Sequence, residues 1–283
     1  MNICMKAVAY VALYLIPAFS MAEGDKNVLS IGGSVTEIIY ALGEGDRVIA
    51  RDSTSSYPAE VEALPDVGYM RALSPEGVLA VAPGLIISED GAGPQETIDV
   101  LAAAAIPFVT VPDGYSAEGI AAKIMAVGAA LDVDAAAATL ASDVARKLET
   151  AEATAATLAG DTPKRVLFIL STQGGRIMAS GQNTAANGII EMAGGVNAIT
   201  EFEGYKPLSD EAVTAADPDV ILMMDRSGDH SSDDAELFAM PSIATTPAAQ
   251  TQSVVRMNGL YLLGFGPRTA EAVIDLTTAL YEG

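Results

Sequence analysis

A phenol and a guanidinium lie two residues apart in the segment VGYMRALSPEG, which covers residues 67–77. Side chains at i and i+2 of an extended loop point to the same side, so Arg71 can approach Tyr69. A free tyrosine ionises with a pKa of about 10, and a neighbouring positive charge favours the phenolate. A phenolate is a hard anionic oxygen ligand. Tyr69 and Arg71 are therefore the first candidates for a binding site.

Further candidates lie in the second half of the chain. Arg226 follows DVILMMD, a predicted strand, and open α/β sheets collect ligands at the carboxyl ends of their strands. Ser74-Pro75-Glu76, just after Arg71, has the pattern of a capped helix start. Tyr205 and Lys206, in FEGYKPLSD, precede a similar helix start. His230 is the only histidine, and its polar surroundings SGDHSSDDAE favour a solvent-exposed side chain over a metal ligand.

Short apolar runs alternate with helical patterns on both sides of an alanine-rich stretch. NVLSIGG, RVIARD, GLIISED and PFVTVP are predicted strands, with helices such as SVTEIIYALG between them, where Ser34 and Glu37 have capping-box spacing. Residues 116–159 lack proline and predict one or two helices, and a closing helix is predicted from Thr269 to about Tyr281. This alternation indicates an α/β fold with central parallel sheets.

The two halves of the chain resemble each other. LSPEGVLAVAPGLII at 73–87 aligns without gaps to LSDEAVTAADPDVIL at 208–222. Two similar Rossmann-like lobes joined by a long helical linker would enclose a cleft, and such clefts bind ligands. The alternative is two unrelated capped helices, each leading into a parallel strand. We expect lobes at 23–115 and 161–283 and a linker helix at 116–160.

Residues 1–22 have the pattern of a signal peptide. Lys6 precedes the apolar run AVAYVALYLIPAFS, and small residues precede a cleavage site between Ala22 and Glu23. The run is shorter than the roughly 20 apolar residues that span a bilayer. We therefore expect export to the periplasm with cleavage near Ala22. Cys4, the only cysteine, would be removed, so the mature chain would carry neither a disulfide nor a thiolate metal site.

Composition argues against several function classes. A formal net charge of −22 leaves no basic stripe for nucleic acid. Asp229, His230 and Ser231 are adjacent and cannot form the hydrogen-bonded chain of a catalytic triad, and no Gly-x-Ser-x-Gly elbow is present, so an enzyme is not expected. One histidine and no mature cysteine leave too few ligands for a usual zinc site.

The segments VGYMRALSPEGVLAVAPGLII and RMNGLYLLGFGPRTAEAV carry a resemblance to a known family. Together with the two-lobed pattern, they resemble the periplasmic substrate-binding proteins of ABC importers for siderophores, cobalamin and heme. Within that class the whole mature chain looks like the hemin-binding subfamily. The resemblance implies a monomer that captures heme in the cleft and delivers it to an inner-membrane permease and ATPase. A siderophore or cobalamin binder is the alternative.

The same resemblance implies roles for the candidate residues. Tyr69 would ligate ferric iron as a phenolate, and Arg71 would hydrogen-bond the phenolate or a propionate. Arg226 would contact a propionate, and Tyr205 and Lys206 would line the other wall. Some relatives add a histidine after the first strand of the second lobe, but that loop here reads STQGGRIMASG, so ligation by Tyr69 alone is the simpler prediction. The side chains expected to pack against a flat ligand are Met70, Met178, Met223 and Met224.

Glu76 and Glu211 occupy matching positions in the first turns of the repeated helices. In the resembled class, one acid on each lobe docks onto arginines of the permease, and these two match that pattern. The alternative is that each carboxylate only complements the dipole of its own helix.

Overall fold

The computed structural model describes residues 27–225 and 233–283. The predicted signal peptide and cleavage site, Cys4, Arg226 and His230 therefore lie outside the described residues. Across the two described ranges, every helix is too short or too polar to cross a membrane.

The first lobe is built on a four-stranded parallel sheet. Its strands are β1 (Val28–Ile31), β2 (Val48–Arg51), β3 (Leu85–Glu89) and β4 (Phe108–Val111), in the order β2-β1-β3-β4. Its helices are α1 (Gly33–Ala41), α2 (Pro75–Ala80) and α3 (Gln95–Ala103). β1 is buried along its whole length, as expected for a parallel strand covered on both faces. The predicted strands and the parallel arrangement are confirmed for this lobe.

Two helices connect the lobes, which decides between the one or two pieces that the sequence left open. They are α4 (Ala117–Ala130) and α5 (Asp134–Ala159). The chain turns between them at Asp132, whose φ of 61° is left-handed. The buried face of α5 repeats every three or four residues and consists of Ala137, Ala141, Val144, Leu148, Ala151, Ala155 and Ala159. These small side chains let α5 pack closely on α4, where Gly128 meets Ala137.

The second lobe contains a six-stranded mixed sheet. Its strands are β5 (Arg165–Ser171), β6 (Met178–Ser180), β7 (Val196–Asn197), β8 (Tyr205–Pro207), β9 (Val220–Asp225) and β10 (Val254–Asn258). The order is β10-β9-β5-β6-β8, with β7 beside the start of β5. β10, β9, β5 and β7 run parallel, in agreement with the predicted parallel sheet, although β7 and β10 were not predicted as strands. β6 is antiparallel to β5 and to β8. The two antiparallel strands are three residues long and were not predicted.

Within the described residues of the second lobe there are six helices. They are α6 (Ala185–Met192), α7 (Asp210–Ala216), α8 (Asp234–Ala239), α9 (Pro247–Thr251), α10 (Gly259–Leu263) and α11 (Thr269–Tyr281). The bounds of α11 confirm the predicted closing helix. One hydrophobic cluster continues from the first lobe through α4 and α5 into the second, and includes Val28, Ile38, Ile124, Leu148, Phe168 and Leu276. The lobes therefore share apolar packing at their junction.

The helix starts test two capping predictions. Ser74 caps α2 by accepting a hydrogen bond from the Gly77 backbone N–H at 3.0 Å, as its sequence context indicated. The predicted capping box at Ser34 and Glu37 does not form. α1 begins after Gly32 without a side-chain cap, and the Ser34 hydroxyl donates to Glu89 Oε1 at 2.7 Å instead.

Candidate functional site

The loop that carries Tyr69 and Arg71 is anchored to the first lobe by the residue between them. Met70 is buried in the apolar cluster around Leu73, whereas Tyr69 and Arg71 are exposed, Tyr69 by 46%. The Gly93 backbone N–H donates to the Met70 carbonyl oxygen at 2.8 Å. Tyr69 to Ala72 form a turn, closed by a hydrogen bond from the Ala72 backbone N–H to the Tyr69 carbonyl oxygen at 2.8 Å, so the predicted extended loop is wrong. The phenol and the guanidinium are nevertheless both exposed. Met70 itself lies in the core, so its predicted packing against a ligand is wrong.

Tyr205 of β8 presents a second exposed phenol, from the other lobe. Its exposed fraction is 37%, and its ring lies edge-on to Phe168, with 6.3 Å between ring centres. Burial raises the pKa of Tyr205, while hydrogen bonds from the Ala186 N–H and Thr184 and the positive charge of Arg71 act in the opposite direction. Arg71 is therefore within electrostatic reach of the opposite lobe.

Tyr115, which sequence reasoning missed, lies in the loop between β4 and α4. Its ring is edge-on to Phe265, with 5.3 Å between ring centres, and a Cβ added to Gly188 would lie 2.9 Å from Tyr115 Cβ. Burial, followed by the charge and hydrogen bond of Asp113, raises the pKa of Tyr115 far above its usual value. Tyr115 is thus a neutral phenol at physiological pH. An aromatic residue just after a predicted strand was the available sequence signal.

A buried ammonium ties together the carboxyl edge of the first sheet and the lobe junction. Lys123 of α4 is fully buried, and its Nζ donates to Glu89 Oε1 at 2.6 Å and to Asp113 Oδ1 at 2.9 Å. It also donates to Ser34 Oγ at 3.1 Å and to the carbonyl oxygen of Gly264, in the second lobe, at 3.3 Å. Two carboxylates therefore face one ammonium at this junction. No local sequence pattern indicates this cluster, because its members are far apart along the chain.

Arg268 forms a second link between the lobes. Its Nη2 donates to Glu37 Oε2 at 2.8 Å, and its backbone N–H donates to Glu37 Oε1 at 3.1 Å. The guanidinium carbon lies 3.5 Å from the ring centre of Tyr57 and 5.1 Å from that of Tyr261. This aromatic sandwich holds the guanidinium over the buried Glu37 carboxylate.

The remaining predicted residues take separate positions. Lys206 is exposed, and its Nζ lies 5.1 Å from the ring centre of Phe202. Glu76 and Glu211 are both exposed in the first turns of α2 and α7. Met223 lies in the core of the second lobe, contrary to its predicted role beside a ligand. Over residues 27–225 and 233–283, no three acidic, histidine or cysteine side chains cluster closely enough to hold a metal ion.

Comparison with known proteins identifies the family. The model of the periplasmic binding protein family matches residues 28–259. A solved structure of the periplasmic heme-binding protein BhuT in complex with two hemes is 38% identical and superposes with a TM-score of 0.85, covering 90% of this chain and 98% of that chain.

Two curated relatives are more distant. The ABC transporter substrate-binding lipoprotein YvrC of Bacillus subtilis is 28% identical over 208 residues, which are 73% of this chain and 66% of the relative. The vitamin B12-binding protein of Yersinia pestis is 28% identical over 239 residues, which are 84% of this chain and 81% of the relative. The match of the family model over most of the chain means that this protein belongs to the periplasmic binding protein family.

Proposed function

We propose that this protein captures ferric heme between its two lobes and delivers it to the permease of an ABC importer. The observation that carries the proposal is the exposed Tyr69–Arg71 pair, fixed by the buried Met70 and opposed by Tyr205. The 38% identity to a heme-binding protein supports the same ligand. Family membership makes the chain a transport component, and we propose no catalysis for it.

Tyr69 is the proposed iron ligand. A phenolate oxygen is an established axial ligand of ferric heme. Tyr69 is the most exposed of the three phenols, and Arg71, two residues further along the same turn, is exposed as well. Tyr115 is unsuited to this role, because burial and Asp113 raise its pKa and hold it neutral. Its exposed ring instead offers an apolar surface to the porphyrin.

The charged residues between the lobes favour one orientation of the bound heme. Arg71 is an exposed cation of the first lobe, and Arg226 is proposed to add a second cation from the other lobe. Lys206 follows Tyr205 in β8, so it points to the opposite face of the sheet, where it lies over Phe202. Glu89 and Asp113 lie at the lobe junction with one ammonium between them. Heme propionates would be attracted to the cationic walls and repelled from the junction. We infer that heme binds with its propionates directed away from Lys123. His230 is proposed as a solvated residue near the site.

Two further parts of the proposal concern the chain as a whole. We propose that residues 1–22 are removed on export, that the lobes comprise residues 23–115 and 161–283 with 116–160 as connector, and that the mature protein is a monomer.

We also propose that Glu76 and Glu211 dock onto basic residues of the permease, one on each lobe. Both acids lie exposed at the first turn of a helix whose serine cap is formed.

Titration with ferric heme tests the ligand. The protein without residues 1–22 should give a saturable absorption change with the charge-transfer band of an iron-bound tyrosinate. Tyr69→Phe should lose this band and bind heme at least about tenfold more weakly, since a metal–ligand bond is lost. Tyr115→Phe is the matched control and should keep the band. A band that persists in Tyr69→Phe would refute the assignment of the ligand.

Cobalamin is the second candidate, and the relationship to a vitamin B12-binding protein is the observation that favours it. Cyanocobalamin is therefore titrated into the same protein by calorimetry. Tight binding of cyanocobalamin together with an unchanged heme spectrum would replace the heme proposal with this alternative.

A further inference from the structure

A groove of about 440 Å³ opens on the second lobe, between α7 and the segment that joins β7 to β8. Apolar side chains form most of its lining. The lining residues that matter below are Ile199, Phe202, Leu208, Ala212 and Ala215. Three of them belong to α7 or to the residues directly before it, so the groove adjoins the helix start that carries Glu211.

Leu208 and Leu73 hold the same position in the internal repeat, but their surroundings differ. Leu73 is buried in a cluster with Val78 and Leu101, and its backbone N–H donates to the Gly93 carbonyl oxygen at 2.9 Å. Leu208 is only half-buried and lines the groove. The first lobe thus buries the leucine at this repeat position, whereas the second lobe leaves the equivalent leucine partly accessible in the groove.

The two cations in the lining are held by the protein itself. The Arg165 guanidinium donates to the carbonyl oxygen of Ala216 at 2.8 and 3.1 Å and to that of Ala198 at 3.4 Å. The Lys206 ammonium lies over the ring of Phe202. The groove is therefore better suited to an apolar group than to a small anion.

Exposed carboxylates surround the same helix start. Glu201 lines the groove, and Asp210 and Glu211 form the first turn of α7. Hydrogen bonds from its own backbone N–H and from Ser209 lower the pKa of Glu211, so this side chain is ionised at neutral pH. The ion pairs found within the described ranges use none of these three acids.

We propose that the groove is an apolar anchor for the transporter. It receives an apolar side chain from a periplasmic segment of the permease, whose basic residues pair with Glu211 and its neighbours. This inference rests on the proposed function. It adds to the proposed ion pairs of Glu211 an apolar contact in the groove beside it. Charge complementarity selects this occupant, because a chain of net charge −22 repels a second copy of itself and attracts a basic loop.

Ala215 offers a substitution that blocks the groove without removing any contact of the core. It is exposed, lines the groove and lies in α7, where arginine is compatible with a helix. Ala215→Arg fills the groove and adds a cation, whereas Ala215→Glu introduces a shorter side chain of the opposite charge. Ala156 is an exposed alanine of α5, so Ala156→Arg is the matched control.

Binding is measured by biolayer interferometry, without ligand, to the permease–ATPase complex of the heme importer from the same bacterium in lipid nanodiscs. We expect Ala215→Arg to raise the dissociation constant about tenfold or more, mainly through faster dissociation. Ala215→Glu should weaken binding less, because its charge is complementary to the basic partner. Ala156→Arg should stay within about twofold of the wild type, as surface substitutions usually do. Each variant should keep the heme affinity of the wild type.

Three outcomes would overturn the anchor. They are equal transporter binding by Ala215→Arg and Ala156→Arg, no transporter binding by the wild type, and a wild-type dimer in analytical ultracentrifugation that Ala215→Arg dissociates. The last outcome would make the groove a surface between copies of this chain. Failure of the proposed function is read separately, from the heme titration, because the transporter assay contains no heme.

Discussion

Replacing Lys123 with methionine tests how strongly the buried ammonium stabilises the junction between the lobes. Methionine has a similar length and is apolar, so the variant removes the charge and four hydrogen-bonding partners while it largely fills the space. Glu89 Oε1 and Asp113 Oδ1, at 2.6 and 2.9 Å in the wild type, would then face each other without their shared cation.

The burial of the partners sets the size of the effect. Breaking a buried ion pair by removal of one partner costs about 3 to 5 kcal/mol. Lys123 is fully buried, but the side chains of Glu89 and Asp113 are 13% and 28% exposed, so water relieves part of their repulsion. We therefore expect the free energy of unfolding to fall by about 3 kcal/mol. For a chain of this length, that corresponds to a loss of roughly 5 °C in Tm, because the entropy of unfolding grows with the number of residues.

Urea unfolding followed by circular dichroism measures this change. Lys147→Met is the matched control, because Lys147 donates to Glu271 at 3.1 Å on the surface and its loss should cost no more than about 1 kcal/mol. The triple variant with Glu89→Gln and Asp113→Asn should regain part of the stability lost in Lys123→Met, since it removes the unpaired charges. A Lys123→Met protein as stable as Lys147→Met would refute this account of the junction.

Three further predictions concern other described contacts. Arg268→Gln leaves the buried Glu37 carboxylate without its charged partner and should lower the free energy of unfolding by about 2 to 3 kcal/mol. In a double-mutant cycle with Glu37→Gln, simple additivity would contradict the pairing. Tyr115→Phe should flatten the fall in stability above about pH 10, because the raised pKa lets folded Tyr115 keep a proton that the unfolded chain releases. Urea midpoints at about pH 8 and pH 11 check this, and an unchanged difference between them would contradict it. Ser74→Ala should cost about 1 kcal/mol and Ser74→Gly only a few tenths, through loss of the cap on α2. Equal stability of both variants and the wild type in urea would argue against that cap.

The elements whose structure depends on nearby residues were predicted well from the sequence. The bounds of α11, the serine cap of α2 and the parallel strands of the first lobe follow from local pattern and spacing. The sequence pattern placed Tyr69 and Arg71 on one side of an extended loop, whereas the structure forms a turn there, with both side chains exposed and Met70 buried. The resemblance then named the family, and the comparisons confirmed it.

The contacts between residues distant in sequence could not be predicted from local sequence pattern. Glu37 looked like a capping residue for its own helix, yet its carboxylate is bound by Arg268, 231 residues further along the chain. Lys123 is bound by partners from four separate parts of the chain: Ser34, Glu89 and Asp113 meet when the first lobe folds, and Gly264 joins them from the second lobe. The position of Tyr115 likewise depends on distant residues, because its side chain packs against Phe265 and Gly188. Sequence alone determined the parallel strands of the first lobe, the cap of α2 and the closing helix α11, but not the short antiparallel strands β6 and β8. Only tertiary packing decided which distant charges compensate each other, because the stability of a buried charge depends on the three-dimensional position of its partners.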